Sequence, residues 1–264
     1  MKQEATRRPR AFTRCEVVVV IVILVVLVAI IFVSALRGIW KQESRWGCAW
    51  NLGQIGVAYR VWAQEHNGHF PAAESAANGG WRELLANAEQ GANCWTNFAI
   101  MAKELGSPKI LVCPVDKRPA AAQFLSNGWQ LAPSAVYFKD NSALSYFVSV
   151  SARTNAPDSL LAGDRNLGGG LEPDAEYGFS PKSGRGNDVG IQNNALTGPV
   201  SWSLRMHSFG NAAGAGTVLF SDGSCQKSPS SLDFRRNVQP FAVPTTNWPG
   251  GRVPAFPAFR VIFP

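Results

Sequence analysis

Charge is scarce in this chain: only 16% of its 264 residues are Asp, Glu, Lys or Arg, and only three are His. A nucleic-acid binder needs a basic stripe with interleaved aromatics, and none is present. Of the formal net charge of +7, +3 falls in the first eleven residues, from Lys2, Arg7, Arg8 and Arg10 against Glu4. No nucleic-acid partner is expected. CxxC pairs are also missing: 45, 18 and 111 residues separate Cys48, Cys94, Cys113 and Cys225, a spacing that argues against a structural zinc site. The Gly-x-Ser-x-Gly elbow of hydrolases is absent, and the glycines at 168–170, 184 and 186 lack the Lys-Ser/Thr ending of a phosphate loop. No dense acidic run of the D-x-D-x-D-G kind occurs, so cofactors are not expected. Calcium, which takes six to eight oxygens, would have Asp222 and loop oxygens as its one weak candidate site.

What the chain has instead is one long apolar run. Val17 to Leu36 holds twenty residues without a charge, enough for a helix of roughly 30 Å, the thickness of a bilayer core. A secretory signal peptide has a shorter apolar core of about 7 to 15 residues. Lys2, Arg7, Arg8, Arg10 and Arg14 precede the run, and Arg37, Lys41 and Arg45 follow it. That bias places the N-terminus in the cytoplasm and the bulk outside, where disulfides persist. Four exported cysteines allow two bridges in three connectivities. Glu16 stands at the edge of the run, where a carboxylate is costly unless paired.

Beyond the span, Cys48, Leu52, Ile55, Tyr59 and Trp62 recur at steps of 4, 3, 4 and 3, the stripe of an amphipathic helix facing a domain. Such a helix from Phe12 to Glu65 is about 80 Å long. Asn67-Gly68 and Pro71 end it. His66 and His69 read as turn residues. A helix is expected over Trp95–Leu105 and a shorter one over Trp81–Ala88. Ser145–Ser151 and Asp158–Gly163 read as paired antiparallel strands. Asn166–Pro199 reads as a long loop insertion. Thr217–Ser221 is a strand whose Asp222-Gly223 turn leads to a partner at Cys225–Lys227. The tail from Phe234 holds six prolines and reads as extended, wrapping the domain or pairing at an edge. The roughly 228 residues after the span suit one domain with one core.

The order Ala11-Phe12-Thr13-Arg14-Cys15-Glu16, between a basic leader and the apolar run, resembles the type IV prepilin signature. The resemblance implies that a prepilin peptidase cuts between Ala11 and Phe12 and methylates the new terminus. Glu16 then pairs across subunits with the amino group of a neighbour. Three further stretches are similar to bacterial pseudopilin-like proteins. One is Cys48 to Pro71, carried by Asn51, Leu52, Gln54, Ile55, Gly56, Gly68, Phe70 and Pro71. The second is the Cys-Pro-x-Asp element of Cys113, Pro114 and Asp116. The third is His207 followed by Asp222-Gly223, with fourteen residues between them where the family has Asp-Gly nine residues after the His. The implied fold is α+β and pilin-like, with one long N-terminal transmembrane helix on a small antiparallel sheet with long loops. Residues 1–11 would be a cytoplasmic leader, 12–36 the span, 37–66 its amphipathic continuation and 67–264 the exported domain.

The implied function is a non-enzymatic structural subunit of a type II secretion or type IV pilus-like filament. Its partners would be prepilin peptidase, other pilin-like subunits and the membrane. Its location would be the bacterial inner membrane, single-pass, with its bulk in the periplasm or at the cell surface. The rival is an anchored exported module that binds an envelope glycan or protein without polymerising. A Ser-His-Asp reading of His207 and Asp222 fails because no spacing singles out a serine. Asp116, beside Lys117 and Arg118, reads as a turn residue.

Overall fold

The computed structural model describes residues 14–83, 94–125, 137–173, 175–181, 187–192, 199–207, 214–237 and 258–264; the side chains of 34–45, 187–192, 237 and 258–259 are outside the description. Two compact units divide the chain, Met1–Ser44 and Arg45–Pro264. Helix α1 runs over Arg14–Glu65. In the first unit, every residue from Arg14 to Val33 is exposed, and this stretch is the one candidate among the described residues that is long and apolar enough to cross a membrane. Its valines, isoleucines and leucines are about half exposed or more, and by length and composition the stretch could cross a bilayer.

In the second unit α1 buries the stripe read from its spacing: Cys48, Leu52, Ile55, Tyr59 and Trp62 are all at most 3% exposed. Asn67 and Gly68 then take left-handed conformations, with φ of 54° and 77°, and the Gly68 N–H bonds the Ala63 carbonyl at 2.8 Å. The expected stop is where the helix stops. The segment expected as one helix over Trp95–Leu105 is two short ones, α2 (Cys94–Ile100) and α3 (Ala102–Leu105). The expected helix at Trp81–Ala88 falls mostly outside the described residues.

Among the described residues ten strands follow: β1 (Gln123–Phe124), β2 (Tyr137–Phe138), β3 (Tyr146–Ser149), β4 (Leu160–Asp164), β5 (Leu167–Gly169), β6 (Asn187–Gln192), β7 (Val200–Trp202), β8 (Gly216–Phe220), β9 (Cys225–Ser228) and β10 (Ala258–Phe263). Helix α4 (Ser231–Asn237) lies between the last two. Six of the strands form one sheet in the order β6-β10-β3-β4-β8-β9, and every pair in it is antiparallel. Thus the structure is α+β, an antiparallel sheet with helices. The Asp222-Gly223 hairpin joins β8 to β9, with Gly223 at φ 85°. Gly56 lets α1 approach this corner, because a Cβ there would meet Leu219 Cδ1 at 2.8 Å.

Three expectations are corrected. Asn166–Pro199 is not wholly loop: it contributes β5 and β6, the latter an edge strand of the main sheet. The C-terminal tail does not add at an edge, since β10 inserts between β6 and β3. Finally, the described residues form two buried hydrophobic clusters rather than one. Alternation along the strands sends Tyr146, Val148, Leu219 and Ile262 to the α1 face, and Phe147, Val218, Phe220, Val261 and Phe263 to the other. A register shift between Leu160 and Ala162 lets Leu161 and Ala162 both join the α1 side. The second core is closed by β5, β7 and α4: Trp202 is fully buried, packs edge-on against Phe234 at 5.1 Å, and donates its indole N–H to Ser228 Oγ at 3.0 Å. The sequence reading missed that cover because short strands and a seven-residue helix carry little periodic signal.

Candidate functional site

The residues singled out by motif divide into those the fold gathers and those it keeps apart. Ala11 and Phe12 lie outside the described residues. Glu16 sits in the first turn of α1, exposed. Cys113 is bonded to Cys48, joining the loop before β1 to α1 with a Cα–Cα distance of 5.1 Å. Of the pairings open to Cys48, Cys94, Cys113 and Cys225, this one is formed; Cys94 is a buried thiol donating to the Tyr146 carbonyl at 3.6 Å, and Cys225 is a half-buried one. Burial pushes the Cys225 thiol up to about 11, and desolvation raises Cys94 further still. Raised in this way, both favour the protonated thiol at neutral pH. Pro114 packs at the helix, where a Cβ on Gly47 would meet its Cγ at 3.0 Å.

Asp116 closes a turn, its N–H bonding the Cys113 carbonyl at 2.9 Å, and it is also more than a turn residue. Its side chain is wholly buried and takes a forked pair of bonds from Arg165, Nε to Oδ2 at 2.6 Å and Nη2 to Oδ1 at 2.9 Å. Ser145 Oγ and the Lys117 N–H complete its set at 2.7 Å each. Burial pulls the Asp116 carboxyl upward, but the hydrogen bonds and charge of Arg165 outweigh it and hold the group below its ordinary range. Arg165 itself lies 3.5 Å over the ring of Tyr177. Next to it, Arg118 donates to the carbonyls of Asn141 at 2.7 Å, of Leu144, and of Pro264 at 3.1 Å. Desolvation and the neighbouring Arg165 charge lower Arg118 to about 10, which leaves it cationic at neutral pH.

His207 reaches the same region from the segment after β7. Its N–H bonds the carbonyl of Arg205 at 2.9 Å, and Met206 between them has φ 65°. That is a γ-turn with positive φ, a strained form rare for a residue with a side chain. It aims a buried ring inward: His207 Nε2 lies 3.4 Å from Cys113 Sγ and 3.4 Å from Asp164 Oδ2. Asp164, the last residue of β4, is completely buried; its Oδ2 accepts the Thr217 N–H at 2.6 Å, while Oδ1 has no hydrogen-bond partner among the described residues. Burial raises its carboxyl to about 7 against the pull of Thr217. Asn166 closes the group, donating through Nδ2 to the carbonyls of Arg205 and Ala215 at 2.9 Å each.

The tripeptide Asp164-Arg165-Asn166 was missed by the sequence reading. Two opposite charges and an amide directly after an apolar strand were its signal, since buried polar residues demand partners. Asp222 and Gly223 stay apart from this cluster. Asp222 Oδ1 accepts the Ser224 N–H at 2.7 Å; hydrogen bonds from the Ser224 side chain and then this N–H hold the carboxyl below its ordinary range, and the Asp222 carbonyl accepts from Arg60 of α1 at 3.3 Å. His66 stacks on Trp62 at 3.5 Å, and His69 bonds Glu74 at 2.8 Å. Chemically, the cluster of Cys48, Cys113, Asp116, Asp164, Arg165 and His207 fastens α1, the Cys-Pro-x-Asp loop and the sheet together. Compared with protein-family models, with curated proteins and with solved structures, the chain matches none.

Proposed function

We propose that this chain is a membrane-anchored, pilin-like structural subunit of a type II secretion or type IV pilus-like filament. The observation that carries the reading is the order of residues around Phe12: a basic leader, Ala11-Phe12, Glu16, and then the exposed apolar stretch of α1. Support comes from the other end of α1, whose amphipathic half packs on an antiparallel sheet. On this reading a prepilin peptidase removes residues 1–11 and methylates Phe12. Subunits wait in the inner membrane with their bulk exported, then transfer into a bundle where the apolar helices pack on one another through close van der Waals contact. Glu16 sets axial register by pairing with the amino terminus of the next subunit, an attraction strengthened by the low dielectric. No catalytic step is assigned to the chain.

Co-expression with a prepilin peptidase followed by intact-mass measurement tests this. The expected species lacks eleven residues and carries one added methyl group at Phe12. A full-length, unmethylated chain that is nevertheless inserted in the membrane overturns the filament reading in favour of an anchored, non-polymerising binder. Glu16→Ala is expected to leave insertion intact and to abolish cross-linked oligomers.

A further inference from the structure

The disulfide partners do not stand alone. One ligand atom each from Cys48, Cys113, Asp164 and His207 lies within 4.8 Å of all the others, and all four residues are buried. They come from four separate places: α1, the loop before β1, the end of β4 and the strained turn at Met206. Zinc bonds Cys sulfur at about 2.3 Å and His nitrogen or carboxylate oxygen at about 2.0–2.2 Å, so neighbouring corners of its tetrahedron are about 3.3–3.8 Å apart. His207 Nε2 sits at 3.4 Å from both Cys113 Sγ and Asp164 Oδ2. The second distance is long for an ionic hydrogen bond, which closes to about 2.7–2.9 Å. It is the length of a tetrahedral edge.

Asp164 adds an independent sign. It is a wholly buried carboxyl group; among the described residues one of its oxygens is unpartnered, and no Arg or Lys pairs with it in the way Arg165 pairs with Asp116. Removing a carboxylate from water is costly unless a cation compensates it. A divalent ion among two thiolates, an imidazole and this carboxylate supplies that charge.

We propose that Cys48, Cys113, Asp164 and His207 form a four-ligand zinc site in the reduced chain, so that the bound ion and the Cys48–Cys113 disulfide are alternative states of one buried centre. Chains are made with thiols, and the disulfide closes only in an oxidising compartment. In the reduced chain the two thiols bind Zn²⁺ and release two protons. Oxidation is thiol–disulfide exchange with a small or protein disulfide, RSSR: the zinc dithiolate and RSSR give the Cys48–Cys113 bond, free Zn²⁺ and two RS⁻. Two electrons leave the cysteines and reduce the S–S bond of RSSR, and the ion departs because a disulfide sulfur is no longer a thiolate ligand. Before oxidation the ion holds α1 to the sheet; afterwards the covalent bond does. This inference is independent of the filament reading.

The test uses the full chain in detergent micelles. Protein reduced with a phosphine, loaded with zinc and desalted is expected to hold one zinc per chain by mass spectrometry of the metal. Protein oxidised with glutathione disulfide is expected to hold less than a tenth of that, and oxidising loaded protein should release the ion to a colorimetric chelator. Cobalt in place of zinc should give the strong ligand-field bands of a tetrahedral ion and a thiolate-to-metal charge-transfer band. His207→Gln and Asp164→Asn are each expected to weaken zinc binding at least tenfold while leaving disulfide formation intact; Cys15→Ser should change nothing. Reduced wild-type protein that keeps its circular dichroism yet holds no zinc overturns the proposal. So does zinc held equally by His207→Gln, or retained after oxidation. If Asp164→Asn fails to fold, the wild-type cobalt spectrum and His207→Gln still decide.

Discussion

Asp116 and Arg165, 49 residues apart, form a forked ion pair whose side chains are at most 5% exposed. Such a pair is costly to leave half-made, because the survivor is a buried, uncompensated charge. Arg165→Ala is expected to cost about 3–5 kcal/mol in urea unfolding followed by tryptophan fluorescence. Arg165→Lys should recover only part of this, since an ammonium cannot offer the planar fork. A loss under about 1 kcal/mol for Arg165→Ala would mean that water reaches the pair.

The Cys48–Cys113 bond closes a long loop, its ends 65 positions apart in sequence. Replacing both cysteines by serine should lower stability by about 2–4 kcal/mol under oxidising conditions. Against wild type measured after phosphine reduction without metal, the difference should nearly vanish.

Trp202 anchors the core on the sheet face away from α1, against Phe234 and bonded to Ser228. Truncation to Ala leaves a cavity the size of an indole and is expected to cost about 3–5 kcal/mol. Hydrogen exchange should then show the amides of β5, β7 and α4 opening before those of α1.

Glu74 is one group through which acid should act, beside Asp116 and Asp222. Hydrogen bonds from Asn78, His69 and the Ser75 N–H lower its carboxyl from 4.5 to about 2. A carboxyl depressed in the folded state stabilises the fold fully above its unfolded value and loses that contribution as pH falls through its folded one. Stability should therefore decline between about pH 4.5 and pH 2. Glu74→Gln, which cannot ionise, should flatten that part of the profile in a thermal-unfolding series across this range.

Local chemistry is legible along the chain wherever a pattern repeats at the period of one element. The uncharged run before Leu36, the stripe from Cys48 to Trp62, the stop at Asn67-Gly68 and the Asp222-Gly223 hairpin each need only neighbours in sequence, so their residues announced them. Motif spacing also drew attention to Cys113, Asp116 and His207, three of the residues the fold gathers.

Tertiary structure alone decided what those residues meet. Which cysteine bonds Cys113, that Asp116 is held by Arg165, that His207 faces Asp164, and that β10 threads between β6 and β3 are all contacts between distant segments. Their selection rests on the packing of two cores against one sheet and on the cost of burying any polar group without a partner. A spacing rule for ligands on one loop cannot see a site whose four members arrive from four elements. Only the folded sheet, with α1 laid across it, brings Cys48, Cys113, Asp164 and His207 within 4.8 Å of one another.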